Sequence, residues 1–161
     1  MDSRLQGLVA QFELQSKLFL NCLDGVSDDD AAVRAGGTTN SMAFLAAHLV
    51  DSRHWLARVA GLKIENPFSS RLDGARGIED LKDCPTVDES RHAWRSLAQP
   101  LADRLPMLDA SVLDQRSPTR FPISDRSVVG TIAFLLHHEA YHIGQLALLR
   151  RYTDSPAMSY R

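Results

Sequence analysis

Residues 131–151 read Thr-Ile-Ala-Phe-Leu-Leu-His-His-Glu-Ala-Tyr-His-Ile-Gly-Gln-Leu-Ala-Leu-Leu-Arg-Arg, and this stretch decides the fold. It is largely apolar and free of proline, which predicts a long buried helix that begins after Ser127 and ends near Tyr152. His138 and His142 are four residues apart, so on a helix their side chains share one face, about 5–6 Å apart at Cβ. Imidazole nitrogens bind zinc at roughly 2.0–2.1 Å, which this spacing permits.

The histidine pair is compatible with a metal site, and equally with core or surface histidines satisfied by hydrogen bonds. His137 cannot join the pair, because one step along a helix rotates a side chain by about 100°. The best further donor is His48, in a second predicted helix over about residues 41–60. His48 lies on the inward stripe of that helix, whereas His54 is turned about 240° away and is expected to face solvent or a partner.

Apolar residues recur at three- and four-residue spacing in four long segments, which predicts four helices. The first covers about residues 3–23, and the third begins at Thr86 or Asp88. Pro100 and Pro106 fall inside the third helix and are predicted to kink or divide it. No segment shows a convincing alternating strand pattern, so the chain is predicted to be all-α.

The connections around the third helix are long. Residues 62–86 contain two prolines and two glycines, which predicts a loop with at most one turn of helix near residues 78–82. Residues 109–125 are predicted to be an extended connection. The expected fold class is therefore an all-α four-helix bundle with long crossover connections, in a single domain over residues 1–161.

Composition and charge limit the classes of partner. The net charge is −2 with scattered Lys and Arg, so no basic surface for nucleic acid is expected. No apolar run approaches the ~20 residues that span a bilayer, and the N-terminus lacks the apolar core of a signal peptide. Cys22 and Cys84 are the only cysteines and lie far apart. A disulfide framework is not expected, and the predicted location is the cytoplasm.

The letters of residues 138–142 also match H-E-x-x-H, the helix signature of zinc proteases, in which the Glu acts as general base. Two features disfavour this alternative: no His or Glu follows His142 as a downstream ligand, and no sheet is predicted to align a peptide substrate. Glu139 is rotated about 100° from His138 and is expected to be solvated at the rim. A metalloprotease is therefore the least favoured function.

Two segments resemble the DinB-like superfamily of metal-binding four-helix bundles. One is Asn-Ser-Met-Ala-Phe-Leu-Ala-Ala-His-Leu at residues 40–49, and the other carries an H-x-x-x-H-x-G-Q string at residues 138–145. The short tail ending Met-Ser-Tyr-Arg at residues 158–161 is also similar to some members. The resemblance implies a divalent ion, zinc or nickel, at one end of the bundle, and commonly a dimer. The implied metal ligands are His48, His138 and His142.

Some DinB-like proteins are similar to thiol-dependent enzymes, in which a low-molecular-weight thiol is activated for transfer or isomerisation. The resemblance thus implies a metal-dependent enzyme, thiol-using or hydrolytic, that acts on a small-molecule substrate. No catalytic residue is identified from the sequence. The alternative is a non-catalytic bundle that is stabilised by metal or binds a partner.

Two residues near the histidine pair are candidate cofactor-binding residues. Gln145 shares the face of His138 and His142, and is predicted either to orient a ligand or to make a core hydrogen bond. Tyr141 is rotated about 60° from that face, so its hydroxyl could reach the site or a partner chain. Apolar residues lie nearly all round this helix, which predicts that this helix, or the first helix, buries the excess against a second subunit in a homodimer.

Overall fold

A computed structural model describes residues 1–75, 77–81, 83–153 and 155–160. In chain order its α-helices are α1 (Gln6–Cys22), α2 (Asp28–Ala32), α3 (Met42–Val59), α4 (Ser69–Leu72), α5 (Val87–Arg104), α6 (Ala110–Leu113) and α7 (Val128–Arg151). Short 3₁₀ turns occur at Ser3–Leu5, Ala35–Gly37, Ile78–Asp80 and Leu105–Met107. The described residues form no strand beyond one isolated bridge between Arg116 and Ser127. The prediction of an all-α fold is confirmed.

Side-chain caps fix where three of the long helices begin. Ser41 and Ser127 each accept a hydrogen bond from a backbone N–H in the first turn, at the starts of α3 and α7. Thr86 and Glu89 form a reciprocal capping box at the start of α5. Gly61 follows α3 with a φ of 84°, a conformation that glycine adopts without strain. These positions agree with the helix boundaries predicted for α3, α5 and α7.

The third long helix and the two connections around it differ in part from the predictions. α5 is not divided at Pro100, because Leu97 and Leu101 on either side are fully buried in the core, and it ends at Arg104, just before the 3₁₀ turn that contains Pro106. Residues 62–86 contain α4 as well as the predicted turn, which lies at Ile78–Asp80; Lys82 lies outside the described residues. The segment predicted to be extended at 109–125 contains α6, whose cap is Asp109.

Contacts between the long helices define an up–down–down–up arrangement. α7 and α5 each pack against both α1 and α3. Gln15 and Cys22 of α1 contact the carbonyls of Leu136 and Ile143 in the same chain order, so α1 runs parallel to α7. Early residues of α3 lie beside the end of α7 and late residues beside its start, so these two are antiparallel. The last turns of α3 and α5 meet, so the connection between them crosses the length of the bundle.

A buried ion pair lies at the centre of the bundle. The side chains of Arg53 on α3 and Glu139 on α7 are both 0% exposed. The pairing is bidentate, with Nε to Oε1 at 3.0 Å and Nη2 to Oε2 at 2.6 Å. Arg53 also donates from Nη1 to Ser16 Oγ at 2.8 Å, and its guanidinium lies 3.4 Å from the centroid of the Trp94 ring. Every charged atom of the pair therefore has a partner.

Apolar clusters lie on both sides of this ion pair and complete the core. One cluster includes Phe19, Leu49 and Ile143, and the other includes Phe12, Leu56 and Leu136. None of the helices in the described residues combines the length and apolar character needed to cross a lipid bilayer.

The expectations for Glu139 and His54 were wrong. Glu139 is not solvated at the rim but paired inside the core. His54 does not face solvent: it is 4% exposed, and its Nδ1 lies 2.9 Å from the carbonyl of Val50. His54 is covered because α3 packs against α2 and α4 as well as against α5 and α7, which leaves little of its surface free. Glu139 is covered because α7 packs against both α1 and α3, where Arg53 of α3 pairs with it.

Replacement of Glu139 by Ala should lower the free energy of unfolding by ~3–5 kcal/mol, because it leaves the Arg53 guanidinium buried without a counter-charge. Urea denaturation followed by circular dichroism measures this. Arg71→Ala, which removes the exposed Arg71–Glu89 pair, is the control and should leave the midpoint nearly unchanged. Equal effects of the two substitutions would contradict a structural role for the buried pair.

Candidate metal centre

Three histidines from two helices meet near one side of the bundle. α3 contributes His48, and α7 contributes His138 and His142 from successive turns. The Nε2 atoms of His48 and His142 each lie 3.1 Å from Nε2 of His138. Tetrahedral zinc with imidazole ligands requires nitrogen-to-nitrogen separations of ~3.3 Å. The cluster that the sequence suggested is therefore assembled in the fold, and it could hold a metal ion.

Hydrogen bonds to the other ring nitrogens orient two of these imidazoles. Nδ1 of His142 lies 2.6 Å from Oε1 of Gln145, and Nδ1 of His138 lies 3.2 Å from Oγ of Ser52. An amide oxygen only accepts, so His142 donates from Nδ1 and its Nε2 keeps a lone pair. Contacts of this kind fix the tautomer and the ring orientation of metal-binding histidines.

Gln145 therefore forms a hydrogen bond with His142, one of the candidate metal ligands. Both of its predicted roles, orienting a ligand and making a core hydrogen bond, allow this contact. Ser52 was not singled out from the sequence. Its position in the sequence could have identified it, because Ser52 lies four residues after His48 on the same inward stripe of the helix.

Burial makes the neutral form of the three imidazoles the stable one. Desolvation, with a smaller effect from His142, lowers the pKa of His48 to about 4. Desolvation and the neighbouring histidines lower the pKa of His138 to about 4. Desolvation also lowers the pKa of His142, against the effect of the Gln145 hydrogen bond. Neutral imidazole is the form that binds metal.

Tyr141 lies at the edge of the site, whereas His137 lies outside it. Tyr141 is 59% exposed and its ring lies edge-on to His142, with ring centroids 5.0 Å apart. His137 is exposed and takes no part in the cluster, as predicted.

The geometry removes the main support for a metalloprotease. That mechanism needs the Glu of H-E-x-x-H as a general base beside the metal. Here both carboxylate oxygens of Glu139 accept hydrogen bonds from Arg53, inside the core. The side chain is therefore committed to the ion pair and points away from the histidine cluster.

Comparisons with known proteins agree with this architecture. A family model described as the DinB superfamily matches residues 11–146. The fold is similar to that of a DinB-like protein from Bacillus cereus ATCC 10987, with a TM-score of 0.71. The two sequences are 16% identical, and the alignment covers 99% of this chain and 96% of the other, so the likeness concerns the fold. No curated protein matches the sequence.

In metal-free protein, the ring resonances of His48 and His138 should titrate near pH 4, well below the ordinary value of 6.5. Because folding depresses these pKa values, the two histidines contribute stability that is fully present above pH 6.5 and is lost as the pH falls toward 4. NMR titration of the imidazoles, with unfolding measured at several pH values, checks both statements. Midpoints near 6.5 would mean that the cluster is open to water.

Proposed function

This chain belongs to the DinB superfamily, and we propose that it is a metal-dependent enzyme that binds zinc or nickel through His48, His138 and His142. The observation that carries the proposal is the convergence of the three imidazoles, with Nε2 of His48 and Nε2 of His142 each 3.1 Å from Nε2 of His138. Among the described residues, no fourth His, Cys, Asp or Glu joins this group. Three protein ligands with an open position are typical of catalytic sites, whereas structural zinc sites are closed by four.

The reaction class we propose is thiol-dependent transfer or isomerisation, or hydrolysis, of a small molecule. A divalent ion held by the histidines would supply Lewis acidity, which lowers the pKa of a thiol or water beside it. Gln145 and Ser52 hold the imidazoles of His142 and His138 in the orientation that binding requires. Tyr141 stands at the exposed edge of the site, where its hydroxyl would reach a low-molecular-weight thiol while its ring packs in the dimer interface proposed below.

We also propose that the protein forms a homodimer through α7. Tyr141, Leu148 and Tyr152 follow one another along one face of this helix and are 59%, 59% and 62% exposed. A row of large apolar side chains at the surface is typical of an interface.

Leu148→Glu should convert this dimer to a monomer, because it places a charge in the centre of the row. Light scattering at tens of micromolar measures the mass, and Glu13→Gln, on the exposed side of α1, is the control. A monomeric wild-type protein at that concentration would contradict the proposal.

A reducing compartment such as the cytoplasm is the proposed location. Cys22 and Cys84 are both free thiols. Burial raises the pKa of Cys22 to about 12, so its thiol is protonated and poorly reactive at neutral pH. This supports a location in which neither cysteine needs a disulfide partner.

Replacement of His48 by Ala should remove most of the bound metal while the protein stays helical, since two remaining histidines hold a divalent ion far more weakly. Elemental analysis of protein purified without a histidine tag, from cells supplied with zinc and nickel, measures the content. His137→Ala is the matched control and should keep the wild-type content, because His137 is exposed outside the cluster.

Two results separate this proposal from its alternatives. A wild-type protein without stoichiometric metal would contradict it and leave three packed histidines. Metal that leaves only when the bundle unfolds would favour the non-catalytic alternative, in which the ion has a structural role. An enzyme site of the proposed kind should instead release its ion to a chelator with the helices intact.

A further inference from the structure

A small cavity of about 210 Å³ lies directly beside the histidine cluster. Its lining includes the two candidate ligands His48 and His138, the aromatic residues Trp55, Phe121 and Phe134, and the carboxylate of Asp51. A molecule in this cavity would therefore contact both an aromatic wall and the edge of the metal centre.

The aromatic wall suits an apolar group of limited size. The rings of Phe121 and Phe134 have centroids 4.9 Å apart, and Phe134 lies 6.2 Å from the ring of His138. The guanidinium of Arg58 stacks on the ring of Trp55 at 4.3 Å from its centroid. A dry cavity of about 150 Å³ holds benzene, and sites for drug-sized ligands begin near 300 Å³. The volume here corresponds to one ring with a short substituent.

Asp51 gives the cavity a negative charge that lacks an ion-pair partner. Its Oδ1 accepts a hydrogen bond from Asn66 Nδ2 at 2.6 Å, but within the described ranges no cationic group lies within 4 Å of the carboxylate. The side chain of Trp55 is a further hydrogen-bond partner of this carboxylate, whereas His54 and Arg58 act on it only through their electrostatic field. Burial raises the pKa of Asp51, which reflects the cost of holding a carboxylate away from water. A bound cation would offset that cost.

We propose that this cavity is the substrate pocket, and that it takes a small primary amine carrying a single-ring-sized apolar group. The ammonium group would lie against Asp51, and the apolar group would pack against Trp55, Phe121 and Phe134. Because His48 and His138 line the same cavity, the bound amine would lie directly beside the candidate metal centre. This inference rests on the proposed function, because it assigns the substrate class of the same site.

The test uses 2-phenylethylamine as probe and 3-phenylpropionate as its anionic counterpart. Binding to the full-length protein is followed by NMR of the two indole N–H groups. The Trp55 signal should shift, whereas the Trp94 signal should not, because Trp94 is 0% exposed against Arg53. The carboxylate probe should bind at least ten-fold more weakly. No shift of Trp55, or equal binding of the two probes, would overturn the inference.

Two variants separate the contributions of charge and ring. Asp51→Asn should weaken binding of the amine by roughly ten-fold and reduce the preference over the carboxylate. Asp103→Asn, on the exposed surface of α5, is the charge-matched control and should bind like the wild type. Phe121→Ala, in the loop before α7, should weaken both probes while keeping the preference for the amine. Unchanged binding by Asp51→Asn would overturn the inference.

Metal analysis of the same samples distinguishes this inference from the proposed function. Stoichiometric metal without a preference for the amine would overturn the pocket assignment and leave the metal-enzyme proposal intact. Amine binding at Trp55 in a protein that holds no metal would support the cavity as a ligand site, and only the metal-enzyme proposal would fall.

Discussion

The Arg53–Glu139 ion pair is the interaction on which the rest of the bundle depends. Leucine-rich faces of two helices can pack in more than one register, but a buried charge that loses its partner is strongly destabilising. The bidentate contact is satisfied in a single register of α3 against α7. Because His48 precedes Arg53 by five residues and His138 precedes Glu139 by one, that register also brings the three imidazoles together.

The same five residues of α7 therefore serve two separate purposes. His138 and His142 belong to the histidine cluster of the candidate metal centre, while Glu139, rotated by about 100°, reaches the opposite helix through the core. The letters H-E-x-x-H are those of a zinc protease, yet the glutamate here is structural. A motif match describes which residues are present, and only the packing around each side chain decides its chemistry.

The helices and the histidine cluster could be predicted from the sequence because they depend on local spacing. Apolar periodicity and capping residues placed α3 and α7 closely, and inward stripes placed His48, His138 and His142 on facing surfaces. The burial of His54 could not be predicted this way, because it results from α2 and α4 covering α3, and those contacts are distant in sequence. The partnership of Arg53 with Glu139 was missed because Glu139 was expected to be solvated at the rim, and no sequence motif marks an ion pair between two helices.

The proposed metal centre consists of three imidazoles and an open side. Element-specific X-ray absorption on tag-free protein, prepared with zinc and nickel supplied, tests this most directly. The predicted spectrum shows three imidazole nitrogens at roughly 2.0–2.1 Å, with any remaining ligands from light atoms that added thiol can replace. A protein without bound metal, or a first shell already complete with four protein ligands, would contradict the claim.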